Sequence, residues 1–220
     1  MWSSEVTNMI ITGIWETLYM TLVSTLVGYV IGLPMGIILT VSDKDGIKPN
    51  AVLYKILDVI ANIVRSVPFI ILLVLLIPFT RLVVGKSYGS TATIVPLVIA
   101  AAPYIARMVE SSLKEVDAGV IEAARSMGAS NFTIITKVML VEARTSLLVG
   151  ATITLGTILG YSAMSGAVGG GGLGAIAIRY GYYRYQTDIM IVTIVILVVL
   201  VQILQGLGMM LSRKLDKRKA

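Results

Sequence analysis

Residues 122–142 read Glu-Ala-Ala-Arg-Ser-Met-Gly-Ala-Ser-Asn-Phe-Thr-Ile-Ile-Thr-Lys-Val-Met-Leu-Val-Glu, and they lie between two long apolar runs. The stretch is charged and amphipathic, whereas the rest of the sequence is mostly apolar. A connection between apolar runs has little reason to carry this pattern unless something outside the membrane binds it. This stretch is therefore the first place to look for function.

The composition places the chain in a membrane. Of its 220 residues, 56% are hydrophobic and 14% are charged, and the mean hydropathy is +0.90. Soluble domains carry about 25% charged residues, and several apolar windows here approach the ~20 residues that cross ~30 Å of hydrocarbon. The apolar runs are continuous, as over residues 189–201, whereas barrel strands alternate. We therefore expect an all-α integral membrane protein.

The residue types exclude most catalytic chemistry. The chain has neither cysteine nor histidine, which removes thiol nucleophiles and the commonest transition-metal ligands. The acidic residues are not paired within apolar runs, and Glu16 is expected to be a solvated or interfacial carboxylate. We expect no enzyme activity, metal or cofactor. The N-terminus lacks the pattern of a removable signal peptide.

Five membrane spans can be drawn along residues 1–220, as a single domain. They cover about residues 14–41, 56–77, 92–108, 147–164 and 189–211. Most of the 18 basic residues fall in three segments on one side: 42–55, 107–144 and a tail that includes Lys217, Arg218 and Lys219. Basic residues in short loops stay in the cytoplasm, so the net charge of +6 reflects topology and no nucleic acid partner is expected. The N-terminus is expected outside and the C-terminus in the cytoplasm.

Two features of the first two spans suggest packing and position in the membrane. Gly28, Gly32 and Gly36 recur at every fourth residue, a spacing that lets helix backbones approach closely. Arg65 falls within the second predicted span, although a cation at a span centre costs about 2.5–3.5 kcal/mol on insertion scales. It either reaches the cytoplasmic headgroups from an interfacial lead-in, or lies at the inner mouth of a pathway.

The segment at about residues 112–144 predicts two short helices joined at a glycine. Residues at i, i+3, i+4 and i+7 share one helix face, and here they are Val120, Ala123, Ala124 and Met127. Gly128 follows in a position that favours glycine after a helix, and Ser130 or Asn131 can cap the next helix. These residues leave two possibilities: the pair fills a groove on another protein, or it lies flat on the inner leaflet of membrane lipid.

The pattern Glu-Ala-Ala-x-x-x-Gly, at Glu122, Ala123, Ala124 and Gly128, resembles the signature loop of ABC importer permeases. That family continues with Ile-x-Leu-Pro, where this chain has Val138-Met139-Leu140-Val141. Nearly the whole chain resembles the permease subunits of bacterial methionine ABC importers. The stretches that carry this resemblance are Arg65-Ser-Val-Pro-Phe-Ile-Ile-Leu-Leu-Val, Ala101-Ala-Pro-Tyr-Ile-Ala-Arg-Met-Val-Glu and Tyr161-Ser-Ala-Met-Ser-Gly-Ala-Val-Gly-Gly-Gly-Gly-Leu-Gly.

The resemblance implies a type I ABC importer-like fold with a cytoplasmic coupling-helix segment. It implies a homodimer in the bacterial cytoplasmic (inner) membrane, two copies of a separate ATP-binding subunit that hydrolyses ATP, and an extracytoplasmic methionine-binding lipoprotein. The residues expected to dock on the ATPase are Glu122, Ala123, Ala124, Met127 and Gly128. The residues expected at the outward gate are Tyr161, Ser162 and Met164.

Two other functions are compatible with the sequence. One is an importer of the same kind for a different amino acid, and the other is a membrane scaffold with no pathway. A proton-coupled transporter is disfavoured, because such proteins keep titratable groups inside the membrane and the predicted spans offer essentially none.

Overall fold

The computed structural model describes residues 4–215, so the predicted tail residues Lys217, Arg218 and Lys219 lie outside the described range. The described chain is helical. In chain order the helices are α1 (Ser4–Ser42), α2 (Ala51–Ser66), α3 (Phe69–Leu75), α4 (Ile77–Val84), α5 (Ser90–Lys114), α6 (Ala118–Ser126), α7 (Asn131–Thr133), α8 (Leu140–Glu142), α9 (Arg144–Ser165), α10 (Gly172–Ile176) and α11 (Thr187–Leu215). Two π-helical stretches, Ile134–Met139 and Ala177–Tyr182, continue α7 and α10.

Four of the described helices are long and apolar enough to cross a bilayer: α1, α5, α9 with its continuation to Tyr182, and α11. A fifth crossing requires α2 and α3 together, and these two helices bend by 102° where they meet. The second predicted span, at about residues 56–77, is therefore not one continuous helix. Pro68 is the physical reason, because the residue before a proline is driven out of the helical region, and Val67 is extended with ψ of 124°.

α1 and α5 run in the same direction and touch backbone to backbone. A Cβ added at Gly32 would lie 2.6 Å from the carbonyl oxygen of Ala102, and one added at Gly36 would lie 2.6 Å from that of Ala106. Real Cβ atoms do not approach so closely, so glycine is required at both positions. The close packing predicted from the glycine spacing is confirmed, and its partner is α5.

The apolar core lies where α1, α3, α5 and α9 meet. Met20, Phe69, Ile105 and Ile158 are buried there, one from each helix. The outer sides of the long helices expose large apolar side chains instead, for example along α11. A helix that is apolar on all sides suits a membrane rather than water.

The connections gather at two ends of the bundle. We term one the basic end; it contains residues 43–50, α6 and residues 127–143, and Arg125 Nη2 donates to the carbonyl oxygen of Ile47 across it at 2.8 Å. We term the other the glycine end; it contains residues 166–171, and the N–H of Gly89 donates to the carbonyl oxygen of Gly169 there at 2.8 Å. The loops predicted to share one side do lie together at the basic end.

Candidate coupling helix and gate

α6 is a short helix with a hydrogen-bonded cap at each terminus. At its start, the side chain of Asp117 accepts a hydrogen bond of 2.7 Å from the N–H two residues on, as N-cap residues do. At its end, Gly128 has φ of +80°. The N–H of Gly128 donates to the carbonyl oxygen of Arg125 at 2.9 Å, and that of Ala129 to Ala124 at 3.1 Å. These two bonds form a Schellman motif, so the helix end predicted at Gly128 is confirmed.

α6 has an inner and an outer face. Ala124 is 5% exposed and, with Ile121, packs against the core. The exposed residues of α6 and the turn that follows it include Val120, Glu122, Ala123, Met127, Gly128 and Phe132. Of the four residues predicted to share one face of α6, three are exposed. The fourth, Ala124, is buried where α6 packs against the core.

The outer face of α6 carries an apolar projection. Met127 is 81% exposed and Phe132 is 75% exposed. A Cβ added at Gly128, between them in the chain, would meet no atom within 4 Å. Met127 and Phe132 are thus large apolar side chains that this chain leaves uncovered, and exposed apolar patches often mark a surface that another molecule covers.

The three predicted gate residues lie at the end of α9 and differ in their surroundings. Tyr161 stacks on Phe69 of α3, with ring centroids 4.5 Å apart and ring planes 3° from parallel. Ser162 is buried and donates to the carbonyl oxygen of Leu159 at 2.7 Å. Met164 is 52% exposed. Tyr161 therefore joins α9 to the bent segment, while Met164 is free to contact molecules outside this chain.

The glycine end is held to α1 through two side chains that cap α10. Glu16 Oε2 accepts a hydrogen bond of 2.6 Å from the N–H of Gly172, and Thr17 Oγ1 accepts one of 2.9 Å from the N–H of Leu173. These bonds satisfy the first donors of α10, which have no partner within the helix. Glu16 was expected to be solvated or interfacial; it is instead a helix cap, and it also lines an open cavity of about 660 Å³.

α2 has its polar face towards the protein and its apolar face outward. Only Ala61 is buried in this helix. The exposed apolar residues are Val52, Leu53, Ile56, Val59, Ile60 and Ile63. Arg65 is exposed in the last turn, immediately before the bend, and it forms no salt bridge with any described residue.

A charged network at the basic end was not predicted from the sequence. Glu110 accepts from Arg107 Nη1 at 2.7 Å and from Lys114 Nζ at 2.8 Å. Arg107 also pairs with Asp58 of α2, and Lys114 pairs with Asp43 at 2.6 Å. The spacing of positions 107, 110 and 114 does place their three charged residues on one helix face, at i, i+3 and i+7. It could not predict the network, because the other partners lie on different elements.

The network has further hydrogen bonds and lowers the pKa of one of its carboxyl groups, that of Asp43. Asn62 Oδ1 accepts from Arg107 Nη2 at 3.0 Å, and the hydroxyl of Tyr54 donates to Glu110 at 3.3 Å. The hydrogen bond from Lys114 holds the pKa of the Asp43 carboxyl below its usual range. Asp43 is therefore a carboxylate at neutral pH, paired with the last residue of α5.

The fold and this site together define a multi-pass membrane protein with a short, partly exposed helix, α6, at its basic end. The model of the family described as "Binding-protein-dependent transport system inner membrane component" matches residues 28–217. The chain is 50% identical over 217 residues to a probable D-methionine transport system permease protein, MetI, of Vibrio cholerae, with 99% of this chain and 96% of that protein covered. It is 53% identical over 158 residues to the D-methionine transport system permease protein MetI of Salmonella typhimurium, with 72% and 73% covered.

The structural comparison agrees with these relatives. A chain of the MetNI methionine ABC transporter, in an inward-facing conformation, superposes with a TM-score of 0.97 at 50% identity, with 98% of this chain and 100% of that chain covered. The chain thus belongs to the family of inner membrane components of binding-protein-dependent transport systems. It is a permease, the membrane subunit of an ABC transporter, and its predicted all-α, type I importer-like fold is confirmed.

Proposed function

We propose that the chain is the transmembrane permease subunit of an ATP-driven methionine importer, for the D-form, the L-form or both. The observation that carries this proposal is the superposition on a methionine ABC transporter over nearly the whole chain, at a TM-score of 0.97. The names of the relatives from Vibrio cholerae and Salmonella typhimurium support the same substrate.

The complete importer contains two copies of this permease, two copies of a separate ATP-binding subunit and an extracytoplasmic methionine-binding lipoprotein. The outward apolar face of α2 supports the homodimer, because a second copy would cover side chains such as Ile56 and Ile63. The basic end faces the cytoplasm, as basic loops do. The N-terminus is then outside and the C-terminus is in the cytoplasm.

α6 is the coupling helix in this proposal. Met127 and Phe132 enter a groove on the ATP-binding subunit, and Glu122, Ala123 and Gly128 border them, while Ala124 supports the helix from below. ATP binding brings the two copies of α6 together, and the long helices follow as rigid bodies.

The same motion opens the pathway to the outside around Tyr161, Ser162 and Met164, and hydrolysis restores the first state. Arg65 lies beside the bend at the inner mouth of the pathway. The permease supplies no nucleotide chemistry, and the substrate crosses between the two copies.

A substitution at Gly128 tests the docking of α6. Gly128→Ala and Gly128→Trp carry the same strain, about 1–2 kcal/mol for a side chain at positive φ, and a Cβ there meets no atom within 4 Å. Only tryptophan adds bulk to the docking surface. In membranes that contain all subunits, Gly128→Trp should lose the ATP-binding subunit on purification or hydrolyse ATP without methionine uptake, whereas Gly128→Ala should keep both. Normal uptake and normal co-purification of Gly128→Trp would contradict the assignment.

Competition for uptake tests the substrate. Proteoliposomes that hold the complete importer should take up labelled L-methionine with ATP inside, and unlabelled D- or L-methionine should compete for it. Uptake of a different labelled amino acid, without uptake of labelled methionine, would indicate an importer for that substrate. Failure of any ATPase to co-purify would favour the scaffold. The permease alone, under an ion gradient, should move no solute, and uptake by it would overturn the proposal.

A further inference from the structure

We propose that a network of charged side chains links α6 to the gate, so that the displacement of α6 reaches Tyr161 through α2 and α3. The positioning residues of this linkage are Asp43, Asp58, Arg107, Glu110 and Lys114. The inference rests on the proposed function, since it concerns how movement at the ATP-binding subunit reaches the pathway.

Glu110 is the centre of the linkage. It is 5% exposed, and its two carboxylate oxygens accept from Arg107 and from Lys114 separately. Both cations are on α5, but each also reaches a carboxylate on another element, Asp58 on α2 and Asp43 after α1. The charged groups therefore hold three elements in one arrangement.

Movement enters the linkage at Lys114. This residue ends α5, and α6 begins only a few residues later, at Ala118. α6 is also attached to residues 43–50 through the hydrogen bond from Arg125 to the carbonyl oxygen of Ile47. A shift of α6 therefore acts on Lys114 directly along the chain, and on Asp43 through the neighbouring loop.

Movement leaves the linkage through α2. Arg107 contacts α2 at the carboxylate of Asp58, at the backbone carbonyl oxygen of Asp58 at 3.4 Å, and at the side chain of Asn62 at 3.0 Å. After the 102° bend, the first residue of α3 is Phe69, whose ring stacks on Tyr161. Rotation of α2 about its polar contact therefore displaces Phe69 against the gate.

The residues at the interface between α2 and α5 favour a role in transmitting movement over a role in stability alone. α2 buries only Ala61, so the polar groups are its main attachment to α5. Buried ion pairs contribute little net stability, because desolvation offsets their attraction, but they can specify one arrangement among several. A low local dielectric also makes each pairing sensitive to the loss of a partner.

Substitution of Asp58 tests the linkage in the complete importer in proteoliposomes, by the ratio of methionine taken up to ATP hydrolysed. Asp58→Asn should lower this ratio about fivefold or more, the lower bound of usual coupling between sites, with hydrolysis and co-purification unchanged. Asp58→Glu keeps the charge and should retain most of the ratio. Asp45→Asn removes an exposed aspartate side chain from the same end and should change nothing.

The outcomes separate the linkage from the proposed function. Wild-type protein that takes up no methionine would contradict the proposed function. Wild-type protein that transports, while Asp58→Asn keeps the wild-type ratio, would overturn the linkage alone. A loss of co-purification in proportion to the loss of uptake would also overturn it, because the network would then only support folding.

A distance measurement tests the linkage without any transported substrate. The chain contains no cysteine, so spin labels can be placed at Lys55→Cys, an exposed position on α2 outside its apolar face, or at Ser126→Cys on α6, each paired with Leu207→Cys on α11. ATP binding by the partner subunit should change both distances in the wild-type background. In Asp58→Asn the α6 distance should still change and the α2 distance should not. A normal change on α2 would overturn the proposal.

Discussion

α5 contacts its neighbours α1 and α2 in opposite ways. Against α1 it packs on Gly32 and Gly36, where a Cβ would come within 2.6 Å of its backbone oxygens. Against α2 it pairs charges, and only Ala61 of that helix is buried. Close backbone contact fixes the spacing and the orientation of two helices, whereas paired charged side chains allow a helix to rotate about the pairs. The contact with α1 should therefore be rigid, and α2 should be the helix that rotates.

The largest effect is expected from filling the glycine contact. Gly32→Ala combined with Gly36→Ala should lower the free energy of unfolding by about 3 kcal/mol, because overpacked sites force backbones apart. Thermal unfolding in detergent, followed by circular dichroism, measures the change. Gly160→Ala combined with Gly206→Ala is the matched control, since an added Cβ meets no atom within 4 Å at either site. Equal behaviour of the two pairs would contradict a rigid α1–α5 contact.

A smaller loss is expected from opening the charged contact. Arg107→Met leaves Asp58 and Glu110 without their shared cation and should cost about 2 kcal/mol, below the 3–5 kcal/mol of fully buried pairs because the site is partly exposed. The same unfolding experiment applies. Lys44→Met removes an exposed cation and should stay within about 0.5 kcal/mol of the parent. A similar loss in both variants would indicate that the network has no special role.

Replacement of the network by apolar residues distinguishes the two contacts further. Asp58→Leu, Arg107→Met and Glu110→Leu together should return the stability to within about 1 kcal/mol of the parent, because apolar groups of similar volume often replace buried ion pairs without loss. No set of larger residues should do the same for Gly32 and Gly36. If the triple variant were less stable than Arg107→Met alone, the network would be a stabilising contact rather than a specifying one.

The smallest effect is the pH dependence of Asp43. Its pKa is lowered by the hydrogen bond from Lys114, so its contribution to stability is present above the unfolded pKa of about 3.9 and is lost as the pH falls through the lowered value. For a partly exposed pair this is below about 1 kcal/mol. Melting temperatures measured from pH 7 to pH 3 should fall less steeply in Asp43→Asn than in the parent. Identical curves would contradict the pairing.

Sequence periodicity predicted the parts of the fold that depend on local chemistry. Long apolar runs correctly predicted four of the membrane-spanning helices. The distribution of basic residues correctly predicted which connections lie together at the basic end. The spacing of Gly32 and Gly36 predicted a close contact, although not that α5 would be the partner. Gly128 predicted a helix end because the left-handed conformation there favours glycine.

The parts that were missed depend on contacts between distant residues. Glu16 caps a helix that begins at Gly172, and Arg107 pairs with Asp58 on another helix; no local pattern specifies such partners. Ala124 shares the predicted face of α6 but is buried against the core, in contact with residues far away in the sequence. The break before Pro68 did have a local signal, which the continuous hydrophobicity of residues 56–77 concealed.

The bend between α2 and α3 also determines which side of the subunit can face lipid. A broken helix leaves backbone carbonyl groups without intrahelical donors, and hydrocarbon offers none, so such a break is tolerated only against protein or beside a water-filled space. The side of the subunit that carries Val67 and Pro68 cannot therefore border lipid tails. Solvent-exchange labelling of the backbone in nanodiscs should find water at this depth here, and none at the same depth along α11.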